Sequence, residues 1–301
     1  MNLETLKIHD LVEDPERLER VMAEQQASSQ TDPGVRSLLE SIYLEPDRAR
    51  SFSRFLASFE LRTILDLLNL FGVGRDGPVC EIGGGPGFLS WALAQSGFSR
   101  VHLLEPNAQF NTGTGYLRTR DDAKSIVIHN ELGAWHADAA RFDVILTKNC
   151  IHHFKNMTQA AATIRQKMNP HGRWFAFREW FADSPREVYE QIAGHPYCQR
   201  YSLYEWPYPA HQYVENIELA GFKLTAIVPA GYANNTLAVY QENAGNADIQ
   251  NLTMQIDGVL RTTPQVTVDA FWKEVAENKS GQSATRFFSR PQLMVFEVSD
   301  V

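Results

Sequence analysis

The clearest chemical signal in the chain is a glycine cluster between an apolar strand and a helix. Residues 79–88 read Val-Cys-Glu-Ile-Gly-Gly-Gly-Pro-Gly-Phe. Glycine in such a turn lets the backbone reach positive φ and approach a ligand closely. The helix behind the turn begins with N–H groups that no residue of the helix can satisfy. The turn is therefore predicted to bind a nucleotide-type cofactor through Gly83, Gly85 and Gly87.

Two carboxylates near this turn indicate which kind of cofactor it binds. A dinucleotide fingerprint requires Gly-x-Gly-x-x-Gly, but Phe88 stands where the third glycine is needed. Glu81 ends the first strand, where a carboxylate repels a pyrophosphate but can hold an ammonium group. Glu105 ends the next strand and can accept hydrogen bonds from ribose hydroxyls. The pattern predicts a cofactor that has an ammonium group and a ribose but no phosphates.

Polar residues at the end of the fourth predicted strand are candidates for acid/base chemistry. His152 and His153 are predicted catalytic residues because histidine titrates near neutral pH. Asn149, just before them, is predicted to contact the cofactor or the reacting group. Adjacent side chains cannot both face one reacting atom, so one histidine is expected to line the cofactor, and His153 is favoured as the base.

These motifs resemble those of the class I S-adenosylmethionine-dependent methyltransferases. The first motif of that family, an acidic residue followed by Gly-x-Gly-x-Gly, is matched at residues 81–87. Its second strand ends in an acidic residue, which Glu105 matches. An acidic residue after its third strand lies near the adenine amino group, a position matched by Glu131 with Leu132 beside it. The resemblance covers roughly residues 75–230 and implies S-adenosyl-L-methionine as the cofactor.

The acceptor of such a reaction is expected near the end of the fifth strand. Arg178 and Glu179 lie there, and an arginine in that place can clamp a carboxylate. A segment rich in tyrosine and proline follows over residues 183–210 and is interpreted as a lid. Tyr204 in this segment is a predicted substrate contact. The aromatic rings of the segment also suit the sulfonium cation of the cofactor, because ring faces attract cations.

Composition disfavours several classes of function. The 301 residues are 44% hydrophobic and 21% charged, as in soluble globular proteins, and their net charge is −8. An acidic chain binds phosphate backbones poorly, so a small-molecule substrate is expected rather than a nucleic acid. Three cysteines without regular spacing indicate a reducing compartment, and no Cys/His spacing predicts a metal site. We expect a cytoplasmic protein without a signal peptide or a membrane partner, and its oligomeric state stays open.

The predicted fold class is α/β, a Rossmann-like methyltransferase fold with a seven-stranded, mostly parallel sheet. Residues 1–72 are predicted to form a helical cap, with an amphipathic stripe over 47–71. Residues 73–301 form the cofactor-binding domain, which has inserts at 183–210 and 231–282. Strands are predicted at 78–82, 100–104, 125–129, 142–147, 173–178, 222–228 and 293–298, and helices at 88–96, 107–119, 157–168, 211–220, 247–260 and 267–278.

The favoured function is methyl transfer to a small molecule by in-line displacement at the sulfonium methyl group. The same cofactor site also fits a cyclase that converts S-adenosylmethionine into azetidine-2-carboxylate and methylthioadenosine, or a pericyclic reaction with the cofactor as a structural prop. An NAD-dependent dehydrogenase is disfavoured by Phe88 and Glu81. A non-catalytic cofactor-binding protein stays open, because binding does not imply turnover.

Overall fold

One seven-stranded sheet organises the fold, as the alternation of strands and helices predicted. In chain order its strands are β1 (Pro78–Ile82), β2 (Arg100–Leu104), β3 (Val127–His129), β4 (Phe142–Lys148), β5 (Met168–Phe177), β6 (Phe222–Val228) and β7 (Leu293–Val298). They are arranged in the order β3-β2-β1-β4-β5-β7-β6, and β7 runs antiparallel to both of its neighbours. The other neighbouring strands pair in parallel, so their carboxyl ends meet at one edge.

The structure is a computed structural model in which most of the chain is described. The described residues are 15–194, 206–235, 247–279 and 286–299. Tyr204, the predicted substrate contact, lies outside them, as does the middle of the predicted lid. Lid closure over the site therefore stays a prediction.

The predicted strand bounds agree closely with the structure. Strands β1, β2, β6 and β7 begin and end where they were predicted, and β4 extends one residue further, to Lys148. Strand β5 begins earlier than predicted, because Met168 already pairs with Phe142 before an irregularity in the ladder. The helix predicted over 157–168 accordingly ends at Arg165.

The N-terminal helices pack into the same core as the sheet. The ring centroid of Phe52 lies 4.6 Å from that of Phe88 and 5.3 Å from that of Trp91. The Ser58 side chain accepts a hydrogen bond from the Leu61 N–H and so begins a new helix within the predicted amphipathic stripe. In chain order the helices are α1 (Pro15–Ser28), α2 (Pro33–Ser41), α3 (Arg48–Leu56), α4 (Phe59–Leu70), α5 (Phe88–Gln95), α6 (Leu132–Ala137), α7 (Met157–Arg165), α8 (Pro185–Gly194), α9 (Ala210–Glu218), α10 (Ala247–Thr262) and α11 (Gln265–Lys279).

The helix predicted over residues 107–119 is wrong, and an irregular loop takes its place. Gly113 packs so closely against the chain that a Cβ there would lie 2.0 Å from the carbonyl oxygen of Asn107. The Thr114 N–H donates to that same carbonyl at 2.9 Å, which closes the loop before a helix can form. Two short 3-10 turns follow, Leu117–Thr119 and Asp121–Ala123. The short helix α6, after β3, was not predicted.

Three helices, α8, α10 and α11, lie in the segments that were predicted to be inserts. Helix α8 begins the first insert, and Arg290 pairs with both Asp183 and Glu187 near its start. These ion pairs fasten the start of α8 to the segment that leads into β7. Both helices predicted in the second insert are confirmed as α10 and α11. Within the described ranges, no helix is long and apolar enough to cross a membrane.

Candidate functional site

A cavity opens at the carboxyl ends of the parallel strands, the edge at which sheets of this kind bind ligands. Its volume is about 660 Å³, within the range of roughly 300–1,000 Å³ that is typical of small-molecule sites. The glycine loop, Glu105 and residues that follow β4 and β5 all line it. Leu18 and Met22 of α1 line it as well, so the N-terminal helices form part of its wall.

The glycine loop has the backbone conformation that the sequence predicted. Gly83, Gly85 and Gly87 have φ values of 69°, 54° and 82°, a region that glycine adopts without strain. A Cβ at Gly83 would lie 2.2 Å from Sγ of Cys150, and one at Gly87 would lie 2.5 Å from Cδ2 of Leu117. A Cβ at Gly85 would come no nearer than 3.5 Å to any atom beyond its chain neighbours, and Gly85 lines the cavity. The loop therefore presents bare backbone to a ligand.

Glu81 lies beside the loop, and its carboxylate binds the helix that follows. Its Oε2 accepts a hydrogen bond from the Ser90 N–H at 2.8 Å and another from the Ser90 hydroxyl. Burial raises the pKa of this carboxyl group above its usual value. Glu81 also lines the cavity, and its predicted contact with an ammonium group stays a prediction.

Glu105 joins the glycine loop to the end of β2. Its Oε2 accepts a hydrogen bond from the Gly85 N–H at 2.7 Å, and its Oε1 accepts one from the Asn107 N–H at 2.8 Å. Burial raises the pKa of this carboxyl group to about 7. Each carboxylate oxygen can accept a second hydrogen bond, so these contacts are compatible with the predicted ribose contact.

The two residues predicted near the adenine are placed differently. Glu131 is exposed just before α6 and does not line the cavity, whereas Leu132 does. Asn130, which the sequence analysis missed, donates from its side-chain amide to the backbone carbonyl of Glu105 at 2.6 Å. A role for Glu131 at the adenine stays a prediction, and Leu132 is the residue of this pair that the cavity reaches.

A buried histidine–glutamate pair follows β4 and β5. Nδ1 of His152 lies 2.8 Å from Oε2 of Glu179, and Oε1 of Glu179 accepts from the backbone N–H groups of Cys150 and Ile151. Burial alone would raise the pKa of Glu179, but the hydrogen bond and charge of His152, together with the backbone donors, lower it below its usual value. The Glu179 carboxylate thus holds the His152 ring and its turn, a role that differs from the predicted contact with the acceptor.

His153 and Asn149 lie at the same place in the fold and also line the cavity. The His153 ring centroid is 4.3 Å from that of His152, and the His153 side chain is less buried. Asn149 and Arg178 directly follow β4 and β5 and have left-handed φ values of 49° and 52°. Such values are uncommon outside glycine and here turn the chain sharply at the cavity edge. The predicted catalytic roles of Asn149 and both histidines stay predictions.

Two cations end the neighbouring strands β4 and β5 at the cavity, and both contact one carboxylate. Nζ of Lys148 lies 3.2 Å and Nη1 of Arg178 lies 3.8 Å from Oε1 of Glu60. The Glu60 side chain is 1% exposed, whereas that of Arg178 is 36% exposed. Lys148 and Arg178 line the cavity, so two positive charges face a single carboxylate there.

Sequence reasoning missed Lys148 and Glu60 as members of the site. Lys148 directly precedes Asn149 at the end of β4, so the strand-end rule that selected Asn149 was a signal for it. Glu60 comes from α4, 88 residues before Lys148, and no local pattern connects the two.

The comparison with known proteins agrees with this geometry. A family model described as a methyltransferase domain matches residues 53–227, more than half of the chain. The matched range contains the glycine loop, Glu105 and the His152–Glu179 pair. No curated protein sequence matches the chain.

Several solved structures share the fold at low sequence identity. The YcgJ protein of Bacillus subtilis is 11% identical, with a TM-score of 0.47, over 80% of this chain and 99% of that one. Phosphoethanolamine N-methyltransferase 2 of Haemonchus contortus is 15% identical, with a TM-score of 0.46, over 79% and 52%. The [4+2]-cyclase SpnF is 12% identical, with a TM-score of 0.46, over 80% and 82%. Similarity at this level says nothing about the acceptor.

Proposed function

Because the chain belongs to the class I S-adenosylmethionine-dependent methyltransferases, we propose that it methylates a small anionic molecule bound in the cavity. One observation carries this proposal. A single cavity of about 660 Å³ is lined by the glycine loop, by Glu105, by the His152–Glu179 pair and by Arg178. The groups proposed to bind the cofactor and the acceptor therefore share one partly open cavity of small-molecule size.

The residues on the cofactor side fit S-adenosylmethionine better than a dinucleotide. The Glu81 carboxylate accepts a hydrogen bond from the Ser90 N–H in the first turn of α5. The pyrophosphate of a dinucleotide would bind at this start of the helix, so the two negative groups would compete for it. Gly85 offers bare backbone, and Glu105 offers carboxylate oxygens for ribose hydroxyls. When bound, the cofactor supplies an electrophilic methyl group on a sulfonium ion. The chain contributes alignment and exclusion of water.

His152 is the proposed general base for an acceptor that keeps its proton. The hydrogen bond from Nδ1 to Glu179 fixes the tautomer, so Nε2 carries the lone pair that can take a proton. The charge of Glu179 also stabilises the imidazolium that results. His153, which the sequence favoured as the base, lies beside the His152 ring, and it is proposed to line the site.

The proposed acceptor carries a negative charge, a carboxylate in the simplest case. Arg178 and Lys148 both line the cavity, and Glu60 neutralises one of their two charges. The remaining positive charge lies in a partly enclosed space, where electrostatic attraction is stronger than in water. An arginine can also bind a carboxylate through two parallel hydrogen bonds.

Product analysis tests this function. The full chain is incubated with S-adenosylmethionine labelled in its methyl group, with and without a panel of small carboxylic acids that bear hydroxyl or amino groups. Methyl transfer yields S-adenosylhomocysteine and a labelled acceptor by mass spectrometry, and the E105A variant should yield neither. Protein-dependent release of methylthioadenosine together with azetidine-2-carboxylate from the cofactor alone would show cyclisation instead and would overturn the proposal.

A further inference from the structure

Three metal-ligating side chains meet on the sheet face beside α6, outside the cavity. His102 lies in β2, His129 ends β3 and Asp138 directly follows α6. One ligand atom of each lies within 4.8 Å of those of the other two. None of the three lines the cavity described above, so this group is separate from the proposed methyl-transfer site.

The two histidines carry buried ring nitrogens that lack a hydrogen-bond partner among the described residues. These atoms are Nδ1 of His102 and Nε2 of His129, and the His129 side chain is only 9% exposed. The rings lie nearly parallel, at 11°, with their centroids 5.8 Å apart. Burying a polar nitrogen without a partner is unfavourable, and most buried polar groups in native proteins do have one. Two such buried nitrogens in one group offer lone pairs to a common ligand.

Asp138 supplies a carboxylate oriented towards these rings. Its Oδ2 lies 3.5 Å from Nε2 of His129, and its Oδ1 accepts a hydrogen bond from the Ala140 N–H at 2.7 Å. Hydrogen bonds of that kind orient the carboxylates that bind metals. Two donors bound at about 2.0–2.1 Å to a tetrahedral ion are roughly 3.3 Å apart. The pair formed by Asp138 and His129, at 3.5 Å, is close to this separation.

Charges around the group are mixed. Lys167 directs Nζ to the backbone carbonyl of Asp138 at 2.6 Å, and its charge opposes a second cation nearby.

We propose that His102, His129 and Asp138 bind one zinc ion, with water completing its coordination. Two imidazole nitrogens and one carboxylate oxygen are a donor set that zinc accepts in sites with an open position. The three ligands come from β2, β3 and the end of α6, so a bound ion would tie this helix to the edge of the sheet.

Zinc titration of the full, tag-free chain tests the site. Calorimetry should show one Zn²⁺ bound per chain, and the H129Q and D138N variants should each weaken binding at least about tenfold. His136→Gln is the matched control, because His136 is exposed on α6 outside the group, and it should keep the wild-type affinity. Zn²⁺ should also raise the melting temperature of the wild type but not that of D138N.

Two results would overturn this site. One is a wild-type chain that binds no zinc. The other is a D138N chain, shown by its melting curve to be folded, that binds zinc as tightly as the wild type, since the ion would then lie elsewhere. Methyl-transfer activity enters neither measurement, so the outcome is independent of the proposed function.

Discussion

Burial raises the pKa of Glu105 to about 7, so this carboxyl group changes its charge near neutral pH. Only the ionised form accepts hydrogen bonds from two ribose hydroxyls through both oxygens. Affinity for methylthioadenosine, which has the ribose but no amino acid group, should therefore rise from about pH 6 to about pH 8. The E105Q variant should bind more weakly at high pH and show little dependence on pH. Calorimetric titrations at both pH values measure this.

The raised pKa of Glu105 also makes the free energy of unfolding depend on pH. The folded-state pKa of Glu105 exceeds the ordinary value of 4.5, so its contribution to folding is fully present at low pH and is lost as the pH rises towards 7. As the pH rises, the cofactor affinity should therefore increase while the contribution of Glu105 to the free energy of unfolding decreases. If wild-type affinity for methylthioadenosine is the same at both pH values and E105Q matches it, Glu105 is not the ribose ligand.

Turnover should depend more on His152 than on His153. The H152Q variant should lower kcat by roughly 10²–10⁴-fold, the usual contribution of a positioned base, while cofactor affinity changes little. E179Q should also lower kcat, because the neutral amide holds the imidazolium less well. Single-turnover rates and cofactor titrations on each variant separate the two effects.

The corresponding His153 variant is the comparison for this assignment. H153Q should retain most of the wild-type kcat, because the carboxylate hydrogen bond belongs to the neighbouring ring. A larger loss of kcat in H153Q than in H152Q would assign the base to His153 instead. A loss of cofactor affinity in both variants would indicate that both histidines line the cofactor site and that neither is the base.

Arg178 should set the affinity for the acceptor. The R178Q variant should raise KM for an anionic acceptor about tenfold or more, the loss expected for a charge-assisted hydrogen bond, with a smaller change in kcat. Lys124→Gln is the control, because Lys124 pairs with Asp121 on the exposed surface. An unchanged KM in R178Q, measured with the acceptor found by product analysis, would contradict the anionic acceptor.

Residues of the site were predictable where they are contiguous or end a strand. Gly83, Gly85 and Glu105 follow from a local pattern, because one turn and one strand end bring them together. The partner of Arg178 was not predictable, since Glu60 reaches it from a distant helix. Glu179 was found by its position, but its hydrogen bonds to the turn at residues 150–152 depend on tertiary structure.

At the scale of elements, α1 is attached to the cavity loop through one carboxylate. Glu19 accepts hydrogen bonds from the backbone N–H groups of Asn111 and Thr112, and Thr112 lines the cavity. The E19A variant should therefore lower the free energy of unfolding by about 1–3 kcal/mol, the cost of leaving such donors without an acceptor. Amide exchange should become faster in α1 and in residues 107–116.

The exposed Glu24 on the same helix provides the control. E24A removes a carboxylate without a described contact to the loop and should change stability by less than about 0.5 kcal/mol. Denaturant unfolding and hydrogen exchange of both variants give the comparison. If E19A behaves like E24A, packing of Leu18 and Met22 rather than the carboxylate holds α1 in place.

Most elements were predictable because their hydrophobic patterns repeat with the period of a strand or a helix. The segment at 107–119 was the exception, since its helical pattern is overridden by close backbone packing at Gly113. The close packing at Gly113 involves contacts within the loop itself, and such contacts produce no periodic pattern in the sequence. The short helix α6 was missed because six residues are too few to show a period.

At the scale of the whole molecule, two parts of the chain converge on one cavity. The sheet supplies its floor at the strand ends, and the N-terminal helices supply part of its wall. The His102–His129–Asp138 group lies outside this arrangement. Sequence spacing did not reveal this group, because its three residues come from separate elements that only the fold brings together.

Calorimetric titration of the full chain with S-adenosylmethionine, S-adenosylhomocysteine and NADH tests the central claim most directly. Both adenosyl ligands should bind one per chain and raise the melting temperature by mass action, while NADH should not bind, because Glu81 occupies the start of α5. The E105A variant should bind both adenosyl ligands more weakly than the wild type does. Binding of NADH, with neither adenosyl ligand bound at about 1 mM, would contradict the account.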